Sequence, residues 1–143
     1  MTFDVEKMWD EFCPGIYSRL GLRCVDKHVT DDLYHERAWA RFLGGNIGIK
    51  IEMEGADVIG LLGPITREPE WHLPEVAAWL GERWMNKPGG DRGDFQQLGT
   101  VLERRWSELQ ELFSPDRVEA SLAKLEETRK LQEAERRRHY FGE

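Results

Sequence analysis

Between Tyr34 and Pro64 the chain alternates apolar and polar residues with a period of two. Ile47, Ile49, Ile51 and Met53 alternate with Gly48, Lys50, Glu52 and Glu54, the pattern of a strand with one side on a core and the other in water. Gly44-Gly45-Asn46 precedes this run and Gly55-Ala56-Asp57 follows it, turn residues at hairpin spacing. Upstream, Ala38, Ala40 and Phe42 alternate with Arg37, Trp39 and Arg41; downstream, Val58 to Leu62 is a short apolar run closed by Gly63-Pro64. Three strands joined by tight turns predict an antiparallel meander. Leu22–Val29, turned by Asp31-Asp32, adds a fourth strand at its edge. Register follows the apolar row, so Ile49 and Ile51 are expected inside, and Lys50 and Glu52 open to water.

The flanking segments switch to helical spacing. Val5, Met8, Trp9 and Phe12 share one face, with Asp4 or Thr2 as cap, and Pro14-Gly15 separates them from a short segment carrying Ile16 and Leu20. After a proline-punctuated link, Val76, Trp79, Leu80 and Trp84 predict an amphipathic helix opened by Pro74. Lys87 to Gly93 reads as a loop, with Asp94 capping the helix that follows. Leu98, Leu102, Trp106, Leu109 and Phe113 form a stripe; Ser114-Pro115-Asp116 restarts a helix carrying Val118, Leu122 and Leu125. From Glu126 to Arg138 four acids and five bases replace the stripe, a solvated helix end with Glu126–Lys130 and Glu133–Arg137 at favourable spacing. Together these predict an α+β chain with an N-terminal helix, a three- to four-stranded antiparallel meander, an amphipathic helix and a C-terminal helical hairpin. It is one domain over 1–143, with helix–meander–helix at 3–85 and the hairpin at 94–140.

Composition narrows the function. The 143 residues suffice for a single core, and a formal charge of −7 is spread over both halves of the chain, which disfavours nucleic acid. No run approaches the 18 apolar residues of a membrane span, and no secretory segment precedes Cys13 and Cys24. Those two read as reduced, structural thiols of a cytoplasmic protein. Six tryptophans are many for this length: most belong in the core, leaving room for one or two exposed anchors.

No motif carries recognisable chemistry. His28, His35, His72 and His139 form no metal-binding spacing, and neither cysteine lies at zinc spacing from another ligand. Cys24, near Arg23 and His28, is the nearest approach to an activated thiol, yet packing accounts for it as well. Gly44 to Gly48 lacks the lysine and hydroxyl residue of a phosphate loop. Arg92-Gly93-Asp94 is a tripeptide that recurs by chance. The reading is therefore a non-enzymatic chain with no catalytic residues, no metal and no cofactor.

What remains is surface. If helices cover the Ala38/Ala40/Phe42 side of the sheet, then Arg37, Trp39 and Arg41 lie on the open side, and arginine with tryptophan is the pairing interfaces favour. The exposed C-terminal pair Tyr140-Phe141 is the other place a partner could dock. In layout over residues 3–85, from the N-terminal helix through a meander ending in Leu61-Leu62-Gly63-Pro64 to the helix at Val76–Trp84, the chain resembles small bacterial immunity proteins of polymorphic toxin systems. That resemblance implies a protein that covers a toxin domain, and the acidic balance suits a basic one. Two other readings stand beside it: a small-molecule-binding domain with a tryptophan-lined pocket, and a structural homo-oligomer, for instance a homodimer paired through its C-terminal helices.

Overall fold

The structure is a computed structural model and describes residues 2–85 and 90–141. It opens with helices α1 (Val5–Phe12) and α2 (Ile16–Leu20), followed by strands β1 (Arg23–His28), β2 (Ala38–Gly44), β3 (Ile47–Glu54) and β4 (Asp57–Pro64). A two-residue strand β5 (Trp71–His72) leads into α3 (Leu73–Trp79), and two long helices, α4 (Gly90–Leu112) and α5 (Val118–Phe141), complete the chain. The sheet order is β1-β2-β3-β4-β5 with every pairing antiparallel. The meander is thus as expected, with one further strand: two residues carry no period, so β5 has no signature of its own.

Alternation sorts the sheet into two faces. Ala38, Ala40, Phe42, Ile47, Ile49, Ile51 and Met53 are all buried on the inner face, beneath the helices. Trp9 of α1 and Tyr17 of α2 meet Phe42, the first edge-on at 5.3 Å and the second stacked at 5.1 Å. Leu98 of α4 lies over Gly60 of β4, only 2.6 Å from where a Cβ would stand. Gln110 of α4 clamps the β2–β3 turn: its side chain accepts from the Asn46 amide at 2.8 Å and donates to the Gly44 carbonyl at 3.0 Å. Ile51→Val removes one methylene from this fully covered row. We expect a loss of about 0.5–1.5 kcal/mol by urea unfolding; no measurable loss would mean the row is loosely packed.

Asp4 caps α1 by accepting from the Lys7 amide, and it pairs with Lys27 of β1 at 3.0 Å. Burial alone would raise its carboxyl, but the Lys27 ammonium and the Lys7 amide outweigh burial and hold it below the ordinary value. A depressed carboxyl contributes stability above its unfolded pKa and loses it as pH falls through the folded one. Asparagine caps about as well. Asp4→Asn should therefore be less stable than the native chain at neutral pH, by under about 1 kcal/mol, and approach it only in acid below the depressed pKa of the folded Asp4 carboxyl. A deficit that persists unchanged in acid would exclude the ion pair as its source.

Four expectations are corrected. The helix expected over Val76–Trp84 ends at Trp79, because Gly81 takes a left-handed conformation at φ 84° and the chain leaves the helix there. Glu82 beyond it ties the chain to α4 through Arg104 at 2.7 Å and Arg105 at 2.8 Å. Of the loop expected over Lys87–Gly93, residues 87–89 lie outside the described residues, and Gly90 to Gly93 already belong to α4. Asp94 accordingly sits inside that helix rather than capping it. Glu52, expected in water, is buried, for a reason that belongs to the outer face of the sheet.

Both cysteines are free and half-buried. Burial raises each thiol above its ordinary pKa, and each donates to a backbone carbonyl, Cys13 to Phe95 and Cys24 to Asp26. These are packing roles. No helix among the described residues is long and apolar enough to cross a membrane.

Candidate protein interface

Register places Trp39 in the middle of the outer face. It pairs with His28 of β1 on one side and Glu52 of β3 on the other, and Glu52 in turn pairs with Ile59 of β4. The neighbouring row is Asp26, Arg41, Lys50 and Leu61. The helix side chains seen against the sheet, Trp9, Tyr17, Leu98 and Trp106, all reach it from the other side. What covers part of the outer face is the link between β4 and β5. Pro69 packs against Gly48 and Gly63, a facing pair whose missing side chains let the link cross the sheet closely.

The Trp39 ring is half-buried and has a neighbour on each flank. The His28 ring stacks on it with centroids 6.5 Å apart at 25°, and Lys50 Nζ lies 5.0 Å from its centroid. Lys50 also pairs with Glu52 at 3.2 Å, and Arg37 donates to the same carboxylate at 3.2 Å and to Glu54 at 3.1 Å. Two cations and the neighbouring indole roof Glu52, so its residue exposure falls to 8% although it points outward. A carboxylate so covered needs its partners in place, because its own hydration is largely lost. Arg41 reaches Glu68 of the link at 2.9 Å.

The structure thus brings Arg37, Trp39 and Arg41 onto one face as the alternation requires. Neither arginine is bare: each guanidinium is engaged within the chain, Arg37 with 54% of its side chain still exposed and Arg41 with 28%. His28, Lys50 and Glu52 belong to the same site and were not singled out from the sequence. For Lys50 and Glu52 the signal was the two-residue turn Gly45-Asn46, which fixes Gly44 opposite Ile47 and hence Trp39 opposite Glu52. His28 comes alongside through the β1–β2 pairing, whose register shifts between Cys24 and Asp26 and had no such signal.

Beside Trp39, His28 lies 3.2 Å from Glu36, which also accepts from the Thr30 hydroxyl at 2.8 Å. That hydroxyl first, then His28, lowers the Glu36 carboxyl below its ordinary pKa. The group orders the approach to β2. Among the described residues no three of His, Cys, Asp and Glu assemble into a metal-binding group.

Chemically the face can stack and pair. It offers a flat indole, the partly exposed aliphatic Ile59 and Leu61, and two guanidinium groups that are paired within the chain and still partly exposed. The other tryptophans are placed differently: Trp9 and Trp71 are buried, and Trp79, Trp84 and Trp106 are half-buried against the core. Of the second expected docking place, Tyr140 is exposed at the end of α5, while the Phe141 side chain lies outside the described residues. No family model, curated protein or solved structure matches this chain.

Proposed function

We propose that the chain is a non-enzymatic, cytoplasmic protein-binding module that covers a partner with the outer face of its sheet, in the manner of an immunity protein shielding a toxin domain. One observation carries the reading. A five-stranded sheet packs its helices on one side, and the other side centres a half-exposed tryptophan between ion-paired arginines. Such a surface combines rigid aromatic area, satisfied charges and adjacent aliphatic side chains, the composition of an interface core with its polar rim. The cleft between sheet and α4 beside Trp84 holds about 150 Å³, small against the few hundred Å³ of ordinary ligand sites. That favours the protein-binding reading over a tryptophan-lined pocket.

The test is direct. The chain is co-expressed with the protein encoded immediately upstream of its gene, and growth and complex formation are followed. Protection of the cells, a stable complex, and loss of hydroxyl-radical labelling at Trp39 within that complex are expected. A complex whose footprint falls on the helical side, with Trp39 labelled as in the free chain, would overturn the placement. No complex and no protection would overturn the immunity reading itself.

A further inference from the structure

The C-terminal arm carries charge opposite to the rest of the chain. From Arg129 onward there are five basic and three acidic residues, against 15 and 24 before it. The first half of α5 is held on the body: Ser121, Leu122 and Leu125 are buried, and Arg129 covers the Trp71 ring at 3.9 Å while pairing with Glu75 at 3.1 Å. Past that anchor the helix runs on for about twelve residues, roughly 18 Å, and its side chains are almost all exposed. Arg136, Arg137 and Arg138 make no ion pair among the described residues. Tyr140 stands beside them with 73% of its surface free. A helix segment this short draws little stability from itself, and packing is what normally holds such a segment.

At the end of the strands where β3 turns into β4 lies a groove of about 510 Å³, bounded by Phe3, Leu33, Tyr34, Asp31, Asp32 and the β3–β4 turn. Its lining is apolar with acidic ends, and Tyr34 is 95% exposed, an unusual position for a large ring. The Asp31 carboxylate has no ion-pair or hydrogen-bond partner among the described residues, and the Asp32 carboxylate meets His35 at 2.7 Å and the Tyr34 amide at 3.2 Å. The Phe3–Thr30 bridge fixes one wall of the groove to the end of β1.

We propose that the groove receives the arm of a second copy of this chain. Arg136 to Arg138 then meet Asp31 and Asp32, and Tyr140 lies against Phe3, Leu33 and Tyr34. The two surfaces match in charge and in their aromatic content. Since every copy carries both, a twofold dimer exchanges two arms and closes, with no surface left to extend a chain. The outer sheet face takes no part, so the dimer and the partner complex of the proposed function are independent.

Sedimentation of the full chain tests this. The mass should rise with concentration from 16.7 kDa to twice that value, and dissociation should become easier as salt is added. The triple reversal Arg136→Glu, Arg137→Glu, Arg138→Glu should weaken dimerisation about tenfold or more. Asp31→Arg with Asp32→Arg should do the same, each variant melting near the native temperature. The decisive arm is the equimolar mixture of the two reversed variants. In the mixture each arm again finds a groove of opposite charge, and a mixed dimer should return. Tyr34→Ala, which leaves the charges alone, should also weaken the native dimer. A chain that stays monomeric up to about 0.1 mM, a dimer indifferent to both reversals, or a mixture that fails to reassociate would overturn the proposal.

Discussion

Truncating Trp9 to alanine should remove about 3–5 kcal/mol of stability, a large share of the roughly 5–15 kcal/mol that holds a typical domain folded. The ring is wholly buried and sits where four elements meet. It belongs to α1, meets Phe42 of β2 and Tyr17 of α2 edge-on, and donates from its indole nitrogen to the Phe95 carbonyl of α4 at 3.2 Å. Alanine would leave a cavity bounded by all of them and would take the indole's bond from that carbonyl. The Cys13 thiol also donates there, at 3.3 Å, and a weak sulfur donor is what the carbonyl would keep. Trp9→Phe separates the two effects: it retains most of the apolar area and loses the bond, for about 1–2 kcal/mol. Urea unfolding with an unchanged m-value is the measurement. A loss below about 1 kcal/mol for the alanine variant would show that helices and sheet do not share one core through this ring.

The strands that build the candidate interface were readable because a half-buried strand writes its two faces into alternate residues. Ile47 to Met53 did so without interruption, and the two-residue turns fixed the pairing as well. The burial of Glu52 was not readable in the same way. Alternation says which way a side chain points, and says nothing about how deeply its neighbours cover it. Glu52 points outward and is still hidden, because Lys50, two residues away on the same strand, is joined over it by Arg37 and Trp39, which the β2–β3 register brings alongside.

Helix ends were harder for a related reason. The stripe Val76–Trp84 continues past the point where Gly81 turns the backbone out of the helix, so hydrophobic period and backbone conformation disagreed and the backbone prevailed. Trp84 is then half-buried without being helical. At α4 the reading of Asp94 as a cap followed a sound preference, but the helix already starts at Gly90, which enters it with a left-handed φ of 74°, and runs through Gly93. The strand β5 was invisible for want of length. It exists because Pro69 and its neighbours cross the sheet at Gly48 and Gly63 and return the chain alongside Leu61 and Leu62.

Replacing Trp39 with alanine should weaken the partner complex by about 2 kcal/mol or more, roughly thirtyfold in Kd, as loss of a central aromatic anchor does. The same change should cost the free chain only about 1 kcal/mol, because the ring is half-exposed and lies on the face away from the core. Its removal uncovers Glu52 to water, which relieves a covered carboxylate while loosening the Lys50 and Arg37 pairs, two effects of opposite sign. Trp39→Phe keeps a flat ring between His28 and Lys50 and should recover most of the affinity. Charge adds a kinetic expectation. A basic partner meets a chain of net charge −7, so association should be faster at low salt and slow as the Debye length shrinks to about 8 Å at physiological ionic strength. Calorimetric titration of the recovered partner, run beside thermal melts of the same preparations, reads both quantities. If Trp39→Ala lowers the melting temperature steeply and leaves Kd unchanged, the ring is structural, and the binding surface must be sought away from the sheet.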